Sequence, residues 1–286
     1  ASKGLANGVA GLDASARLVG AQFPAASDAQ AQAAALATVG ITPATLKWAF
    51  PHGECVLEYV SGSELRIRRA PGTRGRMMHG DQMVIIPAAG VAVAPVSNDF
   101  LHNIYLKPDG TSIASASAPV DRGDGILVMT GQPTWNFVGL ARTVGANWTW
   151  DARRKLVCSK YNPVLRSAVG SIADNRPTYS GSLYEHMWAA EQPQIVCLQQ
   201  AIVVSIIVDE RIDHTSSTMG RSVAEIDGAI TGAQTKCNVL ETQHGAISAH
   251  SVADGYHYGS IYHQTYNTSY AHYIHAGSTL ELIFWG

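Results

Sequence analysis

Polar and apolar positions alternate with a period of two over much of this chain. In Glu64–Arg69 the charged residues alternate with Leu65 and Ile67, which places those two on an inner face and turns Arg66 and Arg68 toward water. Short apolar runs follow at 84–87, 90–95, 102–106 and 126–129, separated by Pro, Gly, Asn and Asp. Close spacing with such turns predicts the short strands of a sandwich or barrel. Further on, the apolar run across 194–209 is long enough for two strands or one bent one. At the C-terminus, Tyr270–His275, the turn Ala276-Gly-Ser278 and Thr279–Trp285 read as a hairpin. Its last strand is too apolar for an exposed edge and must pair within the domain or with a neighbouring subunit.

Two early stretches break the alternation. Ser27–Gly40 has a capping residue, a run of helix formers and a terminal glycine, which predicts one short helix. Its apolar surface is mostly alanine with Leu36 and Val39, marginal for a lone helix. It packs either on copies of itself or on its own β domain. Before it, Leu5, Val9, Leu12, Leu18 and Phe23 are spaced by Gly8, Gly11 and Gly20 with no sustained period, which reads as an extended arm lying on another body. The expected fold is mainly β: an extended N-terminal arm and one short helix, followed by two β-sandwich or jelly-roll-like domains. The turn-rich stretch Gly170–Gly181 sets the expected division into an arm (1–24), helix and linker (25–50), a first β domain (51–170) and a C-terminal β domain (171–286).

Composition narrows the function. Charged residues make up 15% of the 286 and the net charge is -2, so the chain offers no cationic surface for phosphates and nucleic-acid binding is disfavoured. The longest apolar run, Ala201–Val208, falls well short of the roughly 20 residues that span a bilayer. It reads as a core strand, with no membrane insertion. Cys55, Cys158, Cys197 and Cys237 lie far apart without metal-ligand spacing and read as buried, reduced thiols. No cofactor or metal is expected.

Asn7, Gly8, Ala10, Leu12, Asp13, Leu18, Gln22, Phe23 and Pro24 follow a pattern of Asn-Gly-x-Ala-x-Leu-Asp, then Gly-Lys, an aliphatic residue and Gln-Leu-Pro. Ala16-Arg17 stands in place of Gly-Lys, and Phe23 in place of the last aliphatic residue. The pattern resembles the N-termini of bacteriophage tail fibres, head fibres and related virion appendages. Leu101–Gly110, Gly125–Gly131, Val138–Arg142 and Trp150–Arg154 are similar to segments of phage structural proteins. The resemblance implies an arm that attaches to other virion proteins through Leu5, Val9, Leu12, Leu18 and Phe23, and a homo-oligomer, a trimer as in fibres. It also implies a virion location after assembly in a bacterial cytoplasm. The N-terminal residues carry no basic and apolar secretory pattern, in keeping with that expectation.

Signatures of catalysis are missing from the sequence, and no catalytic residue is assigned. Asp209, Glu210 and Asp213, beside Arg211 and His214, read as a solvated loop, and Arg122-Gly123-Asp124 as a tight turn. Tyrosine is the informative residue. Tyr256, Tyr258, Tyr262, Tyr266, Tyr270 and Tyr273 are crowded into the C-terminal part, with Tyr256 and Tyr258 on one strand face and Tyr262 and Tyr266 likewise. Aromatic faces stack on sugar rings and phenol edges bond hydroxyls, so these six are the receptor-binding candidates, with a host-surface polysaccharide or receptor as partner. The alternative is that they fill a core or subunit interface. Three functions stand open: host recognition by an appendage, a purely structural virion component, and an enzyme degrading surface polysaccharide.

Overall fold

The computed structural model describes residues 53–80, 82–178, 181–198, 200–212, 220–237, 241–266 and 272–286. The N-terminal arm, the expected helix over 27–40 and Tyr270 lie outside the described residues. Within them the chain is mainly β, built in several sheets, and contains no helix.

The first strands are β1 (Cys55–Ser61), β2 (Glu64–Arg69), β3 (Arg76–His79), β4 (Gln82–Ile85) and β5 (Val91–Val93). β1, β2 and β5 form a three-stranded sheet, and β3 pairs with β4. In β2, Leu65 and Ile67 are fully buried while Arg66 is half-buried, as the alternation requires. Next come β6 (Leu101–Leu106), β7 (Ser112–Ser115), β8 (Pro119–Asp121), β9 (Leu127–Met129), β10 (Gln132–Val144), β11 (Asn147–Trp148), β12 (Arg154–Lys155) and β13 (Val157–Ser159). The long β10 organises a sheet of order β7-β6-β10-β9-β8, with β11 and β13 also paired to it. Leu57, Ile67, Ile104, Val138 and Trp148 share one core. The buried Trp148 indole donates to the Val93 carbonyl at 3.1 Å, as a buried N–H must. The Arg122-Gly123-Asp124 segment is a tight turn: Gly123 has a φ of 100°, and the Asp121 carboxylate accepts from the amides of Gly123 and Gly125.

The remaining strands are β14 (Leu165–Ser171), β15 (Arg176–Thr178), β16 (Tyr184–Glu185), β17 (Gln194–Cys197), β18 (Gln200–Ile212), β19 (Gly220–Ile226), β20 (Ala229–Cys237), β21 (Glu241–Val252), β22 (Gly255–Thr265), β23 (His272–Ile274) and β24 (Thr279–Trp285). One sheet runs β14-β24-β18-β23-β15 with β21 also on β18, and the other β12-β17-β22-β19-β20 with β16 on β22. Ile202, Val204 and Ile206 of β18 and Leu280 and Leu282 of β24 share a core with Ile195, Ala224 and Ile261 from the other sheet. Each large aliphatic side chain buried this way contributes about 1.5–3 kcal/mol.

Three expectations are revised by the pairing. The C-terminal hairpin does not form: β23 and β24 both run antiparallel to β18, one beyond the other, so residues 275–278 are a jog along a single course. The jog is held where the Asp209 amide donates to Ser278 Oγ at 3.0 Å and the His275 amide to the Asp209 carbonyl at 2.9 Å. Asp209 therefore belongs to a strand rather than to a solvated loop. As required of so apolar a strand, β24 is flanked on both sides, by β14 and β18. The run 194–209 resolves into two strands, β17 and β18, in different sheets. The division at 170/171 falls inside β14, which pairs with β24. Gly170, which suggested a turn, instead marks a close approach, since a Cβ there would lie 2.2 Å from the Glu191 carbonyl oxygen.

Candidate functional site

β22 holds three of the six clustered tyrosines, and its pairing decides where each of these faces. It lies antiparallel to β19 on one side and to β16 and β17 on the other. Its period of two is unbroken, so Tyr256, Tyr258, Ser260, Tyr262 and Gln264 share one face while His257, Ile261 and His263 take the other. Tyr258 and Tyr262 are half-buried on this outer face, and Tyr266, just past the strand end, is 53% exposed. Tyr256 shares the face but is covered by β10: the Arg142 guanidinium sits 4.0 Å from its ring centroid, and it packs against the cluster of Tyr105, Phe137 and Leu140. Tyr273 belongs to the opposite sheet, across from Pro177. The structure thus brings Tyr258 and Tyr262 to one surface, leaves Tyr266 exposed just past the strand end, and sets Tyr256 and Tyr273 apart.

The turn joining β19 to β20 fixes one end of this face. Asp227 and Gly228 both have positive φ, the geometry of a two-residue hairpin loop. The Asp227 carboxylate accepts from the Tyr258 amide at 3.0 Å and from His257 Nδ1 at 2.6 Å. Burial opposes a charge on His257, but the bond to Asp227, assisted by Cys197 and the Ala253 carbonyl, outweighs it and pushes the imidazole up to about 10.

Between Tyr258 and Tyr262 the floor is small and polar. Ser260 is buried, and its Oγ donates to Glu185 Oε1 at 2.7 Å; Gln192 Nε2 donates to the same oxygen at 2.6 Å. Glu185 arrives there because the chain flanking β22 loops out over residues 187–192. The His186 amide bonds the Ile261 carbonyl before the excursion, and the Pro193 carbonyl accepts from Gly259 after it. Glu191 pins the loop by accepting from Arg176, from the Ala173 amide and from the Trp188 amide. Burial alone would raise its carboxyl; these donors hold it below the ordinary value instead.

Opposite Ser260 on β19 stands Glu225, only 7% exposed. Burial and the nearby Glu185 raise its carboxyl above the usual range, and no hydrogen bond or ion pair from the described residues holds it. Burial and then the same two carboxyls also push the Tyr262 phenol up. Sequence reasoning named the tyrosines and missed Glu185, Gln192, Glu225 and Ser260. The available signal was Glu225 itself, a single acid inside the run Val223-Ala-Glu-Ile226.

Elsewhere, a pocket of about 150 Å³ is lined by Cys158, Ser159, Lys160, Pro163, Leu198 and Trp285. Burial pushes the Cys158 thiol up to about 12, which withholds a reactive thiolate. Among the described residues no three His, Cys, Asp or Glu side chains converge as metal ligands.

No protein-family model and no curated protein sequence matches this chain. Among solved structures it is similar to Eiger TNF from S. frugiperda, at 8% identity over 42% of this chain and 91% of that one, with a TM-score of 0.27. It is also similar to a chain of infectious bursal disease virus, Gx strain, at 9% identity over 83% and 68% with a TM-score of 0.30. The Cry4Aa toxin of Bacillus thuringiensis gives 9% identity over 82% and 53% with a TM-score of 0.28. At these TM-scores the likenesses decide neither fold nor function.

Proposed function

We propose that this chain is a bacteriophage virion appendage whose N-terminal arm attaches to the particle and whose C-terminal β unit recognises a host-surface glycan. The observation that carries the recognition half is the surface shared by Tyr258 and Tyr262 along β22, with Tyr266 exposed just past its end. Aromatic faces and phenol hydroxyls ordered on a rigid strand match the apolar faces and hydroxyl edges of sugar rings. The attachment half rests on the pattern from Asn7 to Pro24. In this reading the two groups of sheets are β-sandwich units of jelly-roll type, assembled in a bacterial cytoplasm and carried on the virion. A glycan-array screen of the purified full chain tests it. Retention of a defined set of host-surface oligosaccharides is expected, and an array with no bound glycan overturns it. Release of reducing sugar from bound polysaccharide would instead identify the chain as a degrading enzyme.

A second reading, a structural virion component held by subunit contacts, is favoured by the outer face of the sheet containing β18. There Leu165, Val169, Val203, Ile207, Ile247 and Trp285 are exposed, Ile247 to 72%. Large apolar side chains exposed together on one sheet face suit a contact surface. It also fits the proposed homo-oligomer, a trimer. Molar mass in solution tests that part: a multiple of the chain mass is expected, and a monomer at all concentrations contradicts it.

A further inference from the structure

We infer that Glu225, Glu185, Tyr258 and Tyr262 form a slot for the hydroxyl groups of an uncharged sugar, a conclusion that rests on the glycan reading above and supplies its site and ligand class. The shape follows from the strand. Tyr258 and Tyr262 stand four residues apart on one face, about 13 Å at the rise of a strand, with only the small Ser260 between them. The two rings stand on either side of that serine, which Glu185 reaches from the neighbouring strand.

The polar groups lining the gap have unused capacity. Glu185 Oε1 is taken by Ser260 and Gln192, while among the described residues no donor engages its Oε2. Glu225 is nine-tenths buried and lacks any hydrogen-bond partner among them. Acceptor oxygens that no donor among the described residues engages are free to take the hydroxyl of a ligand. Glu225 and Glu185 both present carboxyl oxygens that can accept from a ligand. A hydroxyl donates, so the hydroxyls of a neutral polyol can serve both acceptors at once. A sugar carboxylate, sulfate or phosphate meets the Glu185 charge with no cation from these four residues to offset it.

The test uses the full chain on immobilised neutral oligosaccharides and their uronate or sialylated counterparts, with Glu225→Leu, Glu225→Gln and Glu185→Ala as variants. The parent should prefer the neutral series by about tenfold or more, the scale of one or two lost hydrogen bonds. Glu225→Leu should weaken neutral binding about tenfold, and Glu225→Gln, which keeps a hydrogen-bonding group in place, by no more than about threefold. Should Glu225→Leu fail to fold, Glu185→Ala, at the half-buried rim, carries the same expected loss. Neutral binding that is unchanged in the folded variants overturns the slot and leaves glycan recognition standing, as does a parent that prefers the anionic series. Binding abolished by a chelator also overturns it, because the carboxyls would then be serving a cation. A parent that retains no glycan removes the underlying reading as well.

Discussion

The guanidinium of Arg142 lies 4.0 Å from the ring centroid of Tyr256, joining β10 of the first group of sheets to β22 of the second. The contact divides the tyrosines of one strand by role. Tyr256 closes an internal junction, while Tyr258 and Tyr262 on the same face remain open beside it.

Replacing Tyr256 by alanine should therefore cost roughly 2–4 kcal/mol of stability, from lost packing plus the cation–π contact. Tyr266→Ala, at an exposed position, should stay within about 0.5 kcal/mol of the parent. Denaturant midpoints of the two variants check both. Equal midpoints would mean that the junction does not depend on Tyr256.

The pair His257–Asp227 gives a pH dependence with a definite sign. The folded pKa of His257 is raised to about 10, so its contribution is complete below the unfolded value of about 6.5 and lost as pH rises through about 10. Asp227→Asn should lower the unfolding midpoint most near neutral and mildly acid pH, with parent and variant converging in alkali. Because Asp227 also accepts from the Tyr258 amide, the variant should show faster hydrogen exchange at that amide.

Glu225 acts with the same sign, through the carboxylate range. Its carboxyl is raised by burial and by Glu185, so the folded chain holds the proton more tightly than the unfolded chain, and stability falls as pH climbs above the ordinary glutamate range. The facing groups are Glu185 from β16 and Tyr258 and Tyr262 from β22. Glu225→Gln should raise the thermal midpoint at pH near 7 and leave it unchanged near pH 4, where both forms are neutral. A gain that is the same at both pH values would show that ionisation is not the cause.

Deletion of residues 1–24 separates attachment from folding. That stretch lacks the apolar periodicity of a core element, so the truncated chain should keep its thermal midpoint and fail to join particles. A large fall in midpoint or solubility would assign the arm to the fold.

Strands were legible in the sequence where one face alone is buried. Leu65 and Ile67 alternate with arginines, and the half-buried tyrosines of β22 alternate with its core residues. Legibility failed where partner choice is non-local. The jog at Ala276-Gly-Ser278 carries the composition of a hairpin loop, yet β23 and β24 both pair with the distant β18, which has length enough to accommodate them in series. Gly170 has the same ambiguity, because a glycine that permits a turn equally permits backbone contact with Glu191. At the candidate site the aromatic residues were visible as a cluster in sequence. The acids were not, since Glu185 and Glu225 meet only through their separate pairings with Tyr262 and Ser260.

The most direct test of host recognition by the C-terminal unit is adsorption of the labelled full chain to host cells, comparing the parent with Tyr258→Ala, Tyr262→Ala and the double variant. These side chains are only half-buried, so the variants should fold. Each single change should weaken adsorption by about tenfold, in line with about 1–2 kcal/mol for a stacked aromatic contact, and the double variant should adsorb less than either. Folded variants that adsorb as tightly as the parent would contradict the account and place recognition outside the tyrosine face of β22.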